Sequence, residues 1–264
     1  MTPPMLLSAP TLSQLTVPHA FSTRVGGVSL APFDSLNFGN PSELPAGVGR
    51  DPRECIAANF ERAAATLGCA ERKILQVHQV HGAVVHVAKR GDAPAPPITW
   101  GDVKADAIVT DDPGVLAVIR VADCTPVLLA SSDGRVVGAV HAGWRGVVAG
   151  VLKRAMEEMR ALGASAIVAA IGPCIGADEF EVGPEVVEVF RREFGNDPRF
   201  AWDVGGGKGR VDLKACLAHQ ASVGGAVAVD VLPYCTVRDA SLFFSHRRDK
   251  GVTGRMIGMI GPRE

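Results

Sequence analysis

An Asp-Gly pair between two apolar segments is the feature that most constrains the fold of this 264-residue chain. Asp133 and Gly134 separate the apolar segment Val127–Ala130 from the segment Arg135–His141. Asp-Gly in such a setting is a strong signal for a β-hairpin, because both residues tolerate the backbone angles of a tight turn. The sequence therefore predicts two long antiparallel strands in the middle of the chain.

Strand and helix patterns do not alternate strictly along the chain. Four strand patterns follow one another between Ala107 and His141, which favours an α+β fold over a doubly wound parallel one. Several patterns are apolar throughout, which indicates burial on both faces. We expect a single α+β domain over residues 1–264, with mixed β-sheets layered between helices in an α/β/β/α-like order. Strands are predicted at Ile74–Val87, Ala107–Thr110, Val115–Val121, Val127–Ala130, Arg135–His141, Ala166–Ile171, Ala226–Leu232 and Met256–Ile260. Helices are predicted from Asp51 (as cap) to Gly68, Val148 to Leu162, Pro184 to Gly195 and Asp212 (as cap) to Gly224.

Two glycine- or proline-rich segments interrupt these patterns. The segment Arg90–Asp102 is expected to be a surface loop, because strand patterns resume on both sides of it. The glycines of Gly205–Gly209 fit neither a dinucleotide fingerprint nor a phosphate loop, so a flexible turn is the prediction.

Charge and composition exclude several classes of protein. Lys plus Arg is 27 and Asp plus Glu is 28, a balance that argues against nucleic-acid or anionic-membrane partners. No apolar stretch approaches 18 residues, and the N-terminus lacks the features of a signal peptide. The six cysteines form no Cys-x-x-Cys pair, which favours reduced thiols. We expect a cytoplasmic enzyme, a monomer or homodimer.

The hairpin register brings two chemically active side chains together. With the turn at Asp133 and Gly134, His141 lies opposite Pro126, and Cys124 lies one step further out. Diagonal neighbours on antiparallel strands are about 7–8 Å apart, close enough for both side chains to reach one metal ion or substrate atom. The spacing alone does not choose a third ligand, and His78 and His81 rank about equally.

Several motifs give the chain a more specific resemblance. They are STRVGGVS (Ser22–Ser29), SLNFG (Ser35–Gly39), QVHG (Gln79–Gly82), ADCTP (Ala122–Pro126), HAGWRG (His141–Gly146), IGPCIG (Ile171–Gly176) and SHRRDKGVTGR (Ser245–Arg255). In this order they resemble the YfiH-type laccase-domain family over nearly the whole chain. Its members have been labelled purine nucleoside phosphorylase, polyphenol oxidase and peptidoglycan editing factor.

The resemblance implies a zinc site with the ligands His81, Cys124 and His141. This choice leaves His78 a structural or supporting role. Three protein ligands leave a fourth position open, as in catalytic rather than structural zinc sites. Two histidines and one cysteine also suit copper, so Cu²⁺ stays an alternative. A true multicopper laccase is excluded, because seven histidines without a His-x-His pair cannot supply its copper centres.

The implied activity is phosphorolysis of a purine nucleoside (inosine, adenosine or a methylthio analogue), with adenosine deamination as a further activity. Phosphate needs cationic donors, and the candidates are Arg24, Arg145, Arg247 and Arg248. Asp123 could act as a base or orient His141, and Trp144 or His246 could line the substrate pocket.

Two alternatives stay open beside phosphorolysis. The first is a metal-independent hydrolase of a cell-wall precursor, with Cys124 as nucleophile and His141 as base. The second is a binding or scaffold protein with a vestigial site. Copper-dependent polyphenol oxidation survives only as an older family label.

Overall fold

The computed structural model describes residues 2–92 and 103–264. The helices are α1 (Pro10–Gln14), α2 (Arg53–Thr66), α3 (Trp144–Val148), α4 (Val151–Ala161), α5 (Pro184–Phe194) and α6 (Leu213–Val223). The strands are β1 (Leu6–Leu7), β2 (His19–Ser22), β3 (Lys73–Gln76), β4 (Val85–Ala88), β5 (Ala107–Thr110), β6 (Val115–Val121), β7 (Thr125–Ser131), β8 (Val137–Ala142), β9 (Ile167–Ile171), β10 (Glu181–Val182), β11 (Ala201–Gly205), β12 (Lys208–Val211), β13 (Ala226–Val231) and β14 (Met256–Ile260). None of the helices in the described ranges combines the length and the apolar character that a membrane span requires.

Two mixed sheets form the centre of the fold. One has the strand order β1-β2-β14-β6-β3 and the other β13-β9-β7-β8-β5-β4. Side chains from both sheets, such as Ile119 on β6 and Leu128 on β7, share one buried cluster between them. A three-stranded sheet, β10-β12-β11, is not hydrogen-bonded to either of them, but Ala201 and Val211 belong to the same buried cluster as the six-stranded sheet.

Helices cover the outer face of each central sheet. Helix α2 packs Ile56 and Phe60 against the five-stranded sheet, in a cluster with Val118 of β6. Helix α4 packs Leu152 and Met159 against the six-stranded sheet, together with α3, α5 and α6. The α/β/β/α layering and the α+β class are therefore confirmed, because each sheet buries one face on the other sheet and one face on helices.

The hairpin has the predicted register. Strands β7 and β8 are antiparallel, Pro126 pairs with His141, and Thr125 pairs with Ala142. Gly134 adopts a φ of 71° in the turn, which explains the glycine there. Every residue of both strands is buried, as their continuous apolar character indicated.

The predicted strand Ile74–Val87 is wrong as a single element. The structure divides it into β3, which belongs to the five-stranded sheet, and β4, which belongs to the six-stranded sheet. The residues between them, including the QVHG motif, cross from one sheet to the other. Periodicity does not reveal this break, because both halves carry apolar strand residues.

Two predicted helix starts are also corrected. The helix expected at Val148 begins earlier, as α3, and restarts as α4 after Gly150, whose φ of 75° interrupts the helix. Asp51 does not cap α2, which begins at Arg53. The Asp51 carboxylate instead accepts hydrogen bonds from the Ser29 hydroxyl at 2.6 Å and the Asn37 amide at 2.7 Å. Asp212 caps α6 as expected, accepting from Ala215 N at 2.9 Å.

The remaining loop predictions have separate outcomes. The glycine-rich segment forms the turn between β11 and β12, with positive φ at Gly206 and Gly207, as expected. Most of the predicted loop Arg90–Asp102 lies outside the described residues. Cys174 is fully buried just beyond β9, and burial raises the pKa of its thiol to about 12, which fits the predicted packing role.

His19 is a buried histidine with both ring nitrogens engaged. Its Nδ1 donates to the Val17 carbonyl at 2.7 Å, and its Nε2 accepts from the Ala9 amide at 2.9 Å. This pattern requires a neutral ring, because protonated Nε2 cannot accept a hydrogen bond. Burial lowers the pKa of His19 below its usual 6.5 in agreement with that assignment.

Candidate metal centre

Three side chains that the sequence and the family resemblance singled out meet at one point. The ligating atoms of His81, Cys124 and His141 all lie within 4.8 Å of one another. The two imidazole rings stand edge to face, with centroids 4.9 Å apart. His141 is buried, Cys124 is half-buried and His81 is exposed, so the protein encloses the group around His141 and leaves it accessible to solvent at His81. It could hold a metal ion.

The hairpin positions two of these ligands. His141 is the fifth residue of β8, and Cys124 directly precedes β7, which pairs with β8. Gly143 leaves the space they need, because a Cβ there would lie 3.0 Å from Cys124 Sγ and 3.0 Å from His81 Cδ2. A side chain at Gly143 would therefore push into the ligand group.

The third ligand comes from the crossing segment between β3 and β4. His81 has a φ of 60°, an unusual conformation for a residue other than glycine. The Asp106 carboxylate holds it, accepting from the amides of Val80 at 3.3 Å, His81 at 2.8 Å and Gly82 at 2.7 Å. These three bonds stabilise the turn that aims the His81 ring towards Cys124.

Asp106 also orients His141, a role that the sequence suggested for Asp123. The Asp106 Oδ1 lies 2.9 Å from His141 Nδ1, so the other ring nitrogen is the one left to bind a metal. Burial alone would raise the pKa of Asp106, but hydrogen bonds from His141 and the Gly82 amide outweigh burial and lower it. Sequence reasoning missed Asp106, and the signal was weak: one acidic residue directly before an apolar strand.

The surroundings of Cys124 favour its thiolate. Burial would raise the pKa of the thiol, but the adjacent His141 and the hydrogen bonds from His141 and His81 lower it. The thiolate is the form of cysteine that binds metals and attacks electrophiles. One thiolate and two imidazoles are the donor set of borderline-soft ions such as Zn²⁺, so the residues present fit such a metal.

A cavity of about 490 Å³ opens over this group. Its wall includes three arginines, Arg120, Arg247 and Arg255, and an apolar part formed by Ile175 and Phe180. This volume is within the range of small-molecule sites, but most of the lining side chains are polar or charged, unlike the mainly apolar wall that such sites usually have. Sequence reasoning missed Arg120 and Arg255, although Arg255 ends one of the motifs.

Asp123 lies in the cavity wall but already has partners. Its Oδ1 accepts from the Thr236 hydroxyl at 2.6 Å and its Oδ2 from the Arg247 amide at 2.6 Å. Its φ of 82° shows that the chain bends sharply just before Cys124. Asp123 therefore ties the Cys124 segment to the loop that carries Arg247.

Three of the four arginines predicted to bind phosphate are not among the residues of the cavity wall. Arg24 pairs with Asp34 at 3.4 Å. Arg145 stacks on Trp144, with its guanidinium carbon 4.4 Å from the ring centroid. Arg248 donates to three backbone carbonyls and to the carboxylate of the next residue, which is a structural arrangement. Arg247 does lie in the wall, and its side chain reaches two further carbonyls.

The other histidines divide between the cavity wall and positions away from it. His78 and His246 line the cavity, so both lie near the ligand group without belonging to it. His219 packs against two phenylalanine rings, and His86 lies on β4. Among the described residues, His81, Cys124 and His141 are the one group of three that could hold a metal.

Comparison with known proteins agrees with the motifs. A family profile described as "Multi-copper polyphenol oxidoreductase laccase" matches residues 18–263. A protein of Deinococcus radiodurans named purine nucleoside phosphorylase is 41% identical over 259 residues, which cover 97% of this chain and 92% of that protein.

Solved structures give the same relationship. YlmD from Geobacillus stearothermophilus superposes with a TM-score of 0.84 at 32% identity, covering 97% of this chain and 94% of that one. The hypothetical protein YfiH from Bacillus licheniformis has a TM-score of 0.84 at 30% identity, covering 96% and 94%. With the profile match over nearly the whole length, the chain belongs to the YfiH-type laccase-domain family.

Proposed function

We propose that the protein is a zinc-dependent purine nucleoside phosphorylase. The observation that carries the proposal is the His81–Cys124–His141 group in the wall of a cavity that also contains three arginines. The name of the Deinococcus radiodurans relative supports it. A formal net charge of only -1 and a cavity of about 490 Å³ suit small-molecule substrates better than an anionic polymer.

The wall offers groups for each part of the substrates. Phe180 and Ile175 provide apolar surface for a purine base. Asn40 and Ser42 add polar side chains to the same wall, and we assign them to the ribose. The arginines provide the cationic donors that phosphate needs.

The reaction breaks one bond and forms one. A phosphate oxygen bonds to C1′ of the ribose, the C1′–N9 bond breaks, and its electron pair leaves with the base, which takes up one proton. The products are the free base and ribose 1-phosphate. A bound zinc ion supplies Lewis acidity to oxygen or nitrogen atoms of the substrate.

The protein residues have distinct tasks in this scheme. Cys124 would hold zinc as a thiolate, and His141 would hold it through Nε2, the ring nitrogen that does not contact Asp106. Asp106 keeps the ring orientation and the His81 turn unchanged during the reaction. Arginines in the wall neutralise phosphate and hold it for attack.

We propose adenosine deamination as a second activity of the same site. His81, Cys124 and His141 would hold the zinc ion, and His81 is the exposed member of the three. The chemistry that zinc would supply there is activation of water, the nucleophile that deamination needs. Inosine formation from adenosine without phosphate tests this activity.

The main test is a phosphate-dependent assay on the metal-loaded protein. Purified protein is analysed for bound zinc and copper, then incubated with inosine in the presence and absence of phosphate. We expect zinc near one equivalent and hypoxanthine release only with phosphate. His81→Ala, Cys124→Ala and His141→Ala should each abolish release, whereas His86→Ala should not. Near wild-type turnover in all three ligand variants would refute the site.

The same preparations test the hydrolase alternative. In that scheme Cys124 is a free nucleophile and His141 its base. Stoichiometric alkylation of Cys124 in metal-loaded protein without loss of zinc, together with no nucleoside turnover, would favour it. Protection of Cys124 from alkylation by zinc is the result that our proposal expects.

A further inference from the structure

Two arginines of the cavity wall lie side by side at one end of two adjacent inner strands of the five-stranded sheet. Arg120 is the sixth residue of β6, and Arg255 directly precedes β14. Arg120 pairs with Ile257 in the antiparallel ladder, so Arg255 is its diagonal neighbour on the same face. Long side chains at diagonal positions reach one another. This face is the one that α2 covers further along the strands.

A glycine leaves room for both side chains. A Cβ added to Gly39 would lie 3.1 Å from Nη1 of Arg120 and 3.6 Å from Cγ of Arg255. Gly39 therefore contacts both arginines from the loop that also brings Asn40 and Ser42 to the cavity. The side chains of Arg120 and Arg255 therefore lie together against Gly39 and are not two separate surface charges.

The backbone of each arginine is held, whereas the guanidinium donors are largely free. The Gln79 side chain bonds to the Arg120 amide and carbonyl at 2.8 Å and 2.7 Å. The Arg255 amide donates to Asn37 at 2.8 Å, and its Nη1 donates to two carbonyls of its own loop. Within residues 2–92 and 103–264, the Arg120 guanidinium has no acceptor, and neither arginine forms an ion pair with a carboxylate.

Such a pair is electrostatically unfavourable without a counter-ion. Burial lowers the pKa of both guanidinium groups, and Arg120 opposes the charge of Arg255. The negative groups that act on Arg255 are Cys124 and Asp123, both beside the ligand group. A buried cation without a partner costs free energy, which a bound anion would recover.

We propose that Arg120 and Arg255 form the phosphate subsite, holding a phosphate dianion between their guanidinium groups and the His81–Cys124–His141 group. Guanidinium forks match phosphate oxygens in pairs, and two of them neutralise its double charge. This inference rests on the proposed function for the identity of the anion as inorganic phosphate. It replaces Arg24, Arg145 and Arg248, which contact other parts of the protein.

Direct binding tests the subsite without turnover. Inorganic phosphate is titrated into the metal-loaded protein in a calorimeter, with wild type, Arg120→Gln and Arg255→Gln. Since a hydrogen bond to a charged group contributes about 1.5–3 kcal/mol, each variant should bind phosphate about 10-fold or more weakly. Arg135→Gln removes a charge at the far end of the hairpin and should bind as wild type. Wild-type affinity in both test variants would overturn the subsite.

A conservative variant separates binding from a purely structural role. Arg120→Lys keeps the charge and removes the fork, so it should retain the native melting temperature and zinc content while phosphate affinity stays below wild type. Methyl phosphate, a monoester without base or ribose, is titrated in the same way to distinguish a subsite for phosphate esters. Tighter binding of methyl phosphate than of inorganic phosphate, with the same dependence on Arg120, would overturn the assignment to inorganic phosphate.

Kinetics separate this proposal from the proposed function. In Arg255→Gln the KM for phosphate should rise about 10-fold or more while the KM for inosine changes less than 2-fold. Normal phosphorolysis with an unchanged phosphate KM would overturn the subsite alone. Loss of phosphate binding in the variants of a protein that shows no phosphorolysis would support the anion subsite and overturn the proposed function.

Discussion

Asp106 is the residue whose replacement most directly tests how the candidate metal centre is built. Its carboxylate accepts four hydrogen bonds, three from the consecutive amides 80–82 and one from His141 Nδ1. Asp106→Asn keeps the shape of the side chain and replaces one oxygen by an NH₂ group. That group cannot accept, so two of the four donors lose their acceptor.

The expected loss can be worked from these contacts. The affected donors are either Val80 and Gly82, on Oδ2, or His81 and His141, on Oδ1. Each bond to a charged group contributes about 1.5–3 kcal/mol, but the amides near the exposed His81 can bond to water instead. We therefore expect a loss of about 1.4–2.7 kcal/mol in metal binding, which corresponds to the 10–100-fold drop in metal affinity typical of such partners.

A chelator competition assay measures this change directly. Zinc affinity is determined for wild type and Asp106→Asn, and the Co²⁺-substituted forms are compared by visible absorption, which reports the geometry of the ligands. Asp112→Asn is the matched control, because Asp112 is also buried and accepts an amide hydrogen bond, from Gly114 at 2.9 Å. Zinc affinity within 2-fold of wild type in a folded Asp106→Asn protein would refute the role given to Asp106.

Three further results are expected. Gly143→Ala should lower the zinc content of the purified protein, because the added Cβ would lie 3.0 Å from Cys124 Sγ. Gly49→Ala is the control, since a Cβ there would have no atom within 4 Å, and its zinc content should equal that of wild type. Equal zinc content in both variants would contradict the crowding argument. The lowered pKa of His19 means that the folded state disfavours its protonation, so the free energy of unfolding should be full above pH 6.5 and fall as the pH drops below it. His19→Asn should flatten that decline in urea denaturation, and an unchanged slope would count against a neutral His19. Met159→Ala should destabilise the protein by about 2–5 kcal/mol in the same denaturation assay, because the side chain is fully buried between α4 and the sheet, and a loss under 1 kcal/mol would contradict tight packing there.

The hairpin shows that local sequence can predict the register of two paired strands. The Asp-Gly turn and two apolar segments predicted the pairing of Pro126 with His141, and the structure has that pair. The prediction succeeded because a turn sets the register of the strands that it joins, and a buried strand cannot slip by one residue without exposing its core side. Cys124 and His141 follow from that register.

The segment that crosses between β3 and β4 shows the limit of prediction from local sequence. The residues from Ile74 to Val87 carry one continuous strand pattern, but they belong to two sheets, and His81 lies between them with a positive φ. Choosing His81 over His78 needed the family motif. Asp106, Arg120 and Arg255 were missed because single polar residues at strand ends carry no periodic signal.

The sequence by itself determined the α+β class, the central hairpin and the residue types of a metal centre, since these depend on local periodicity, turn chemistry and recognisable motifs. Only the tertiary structure decided that Asp106 rather than Asp123 supports His141, and that Arg120 and Arg255 rather than Arg24, Arg145 and Arg248 face the cavity. The physical reason is that hydrogen bonds and charge proximity depend on how distant strands and loops pack, which no spacing along a single chain records.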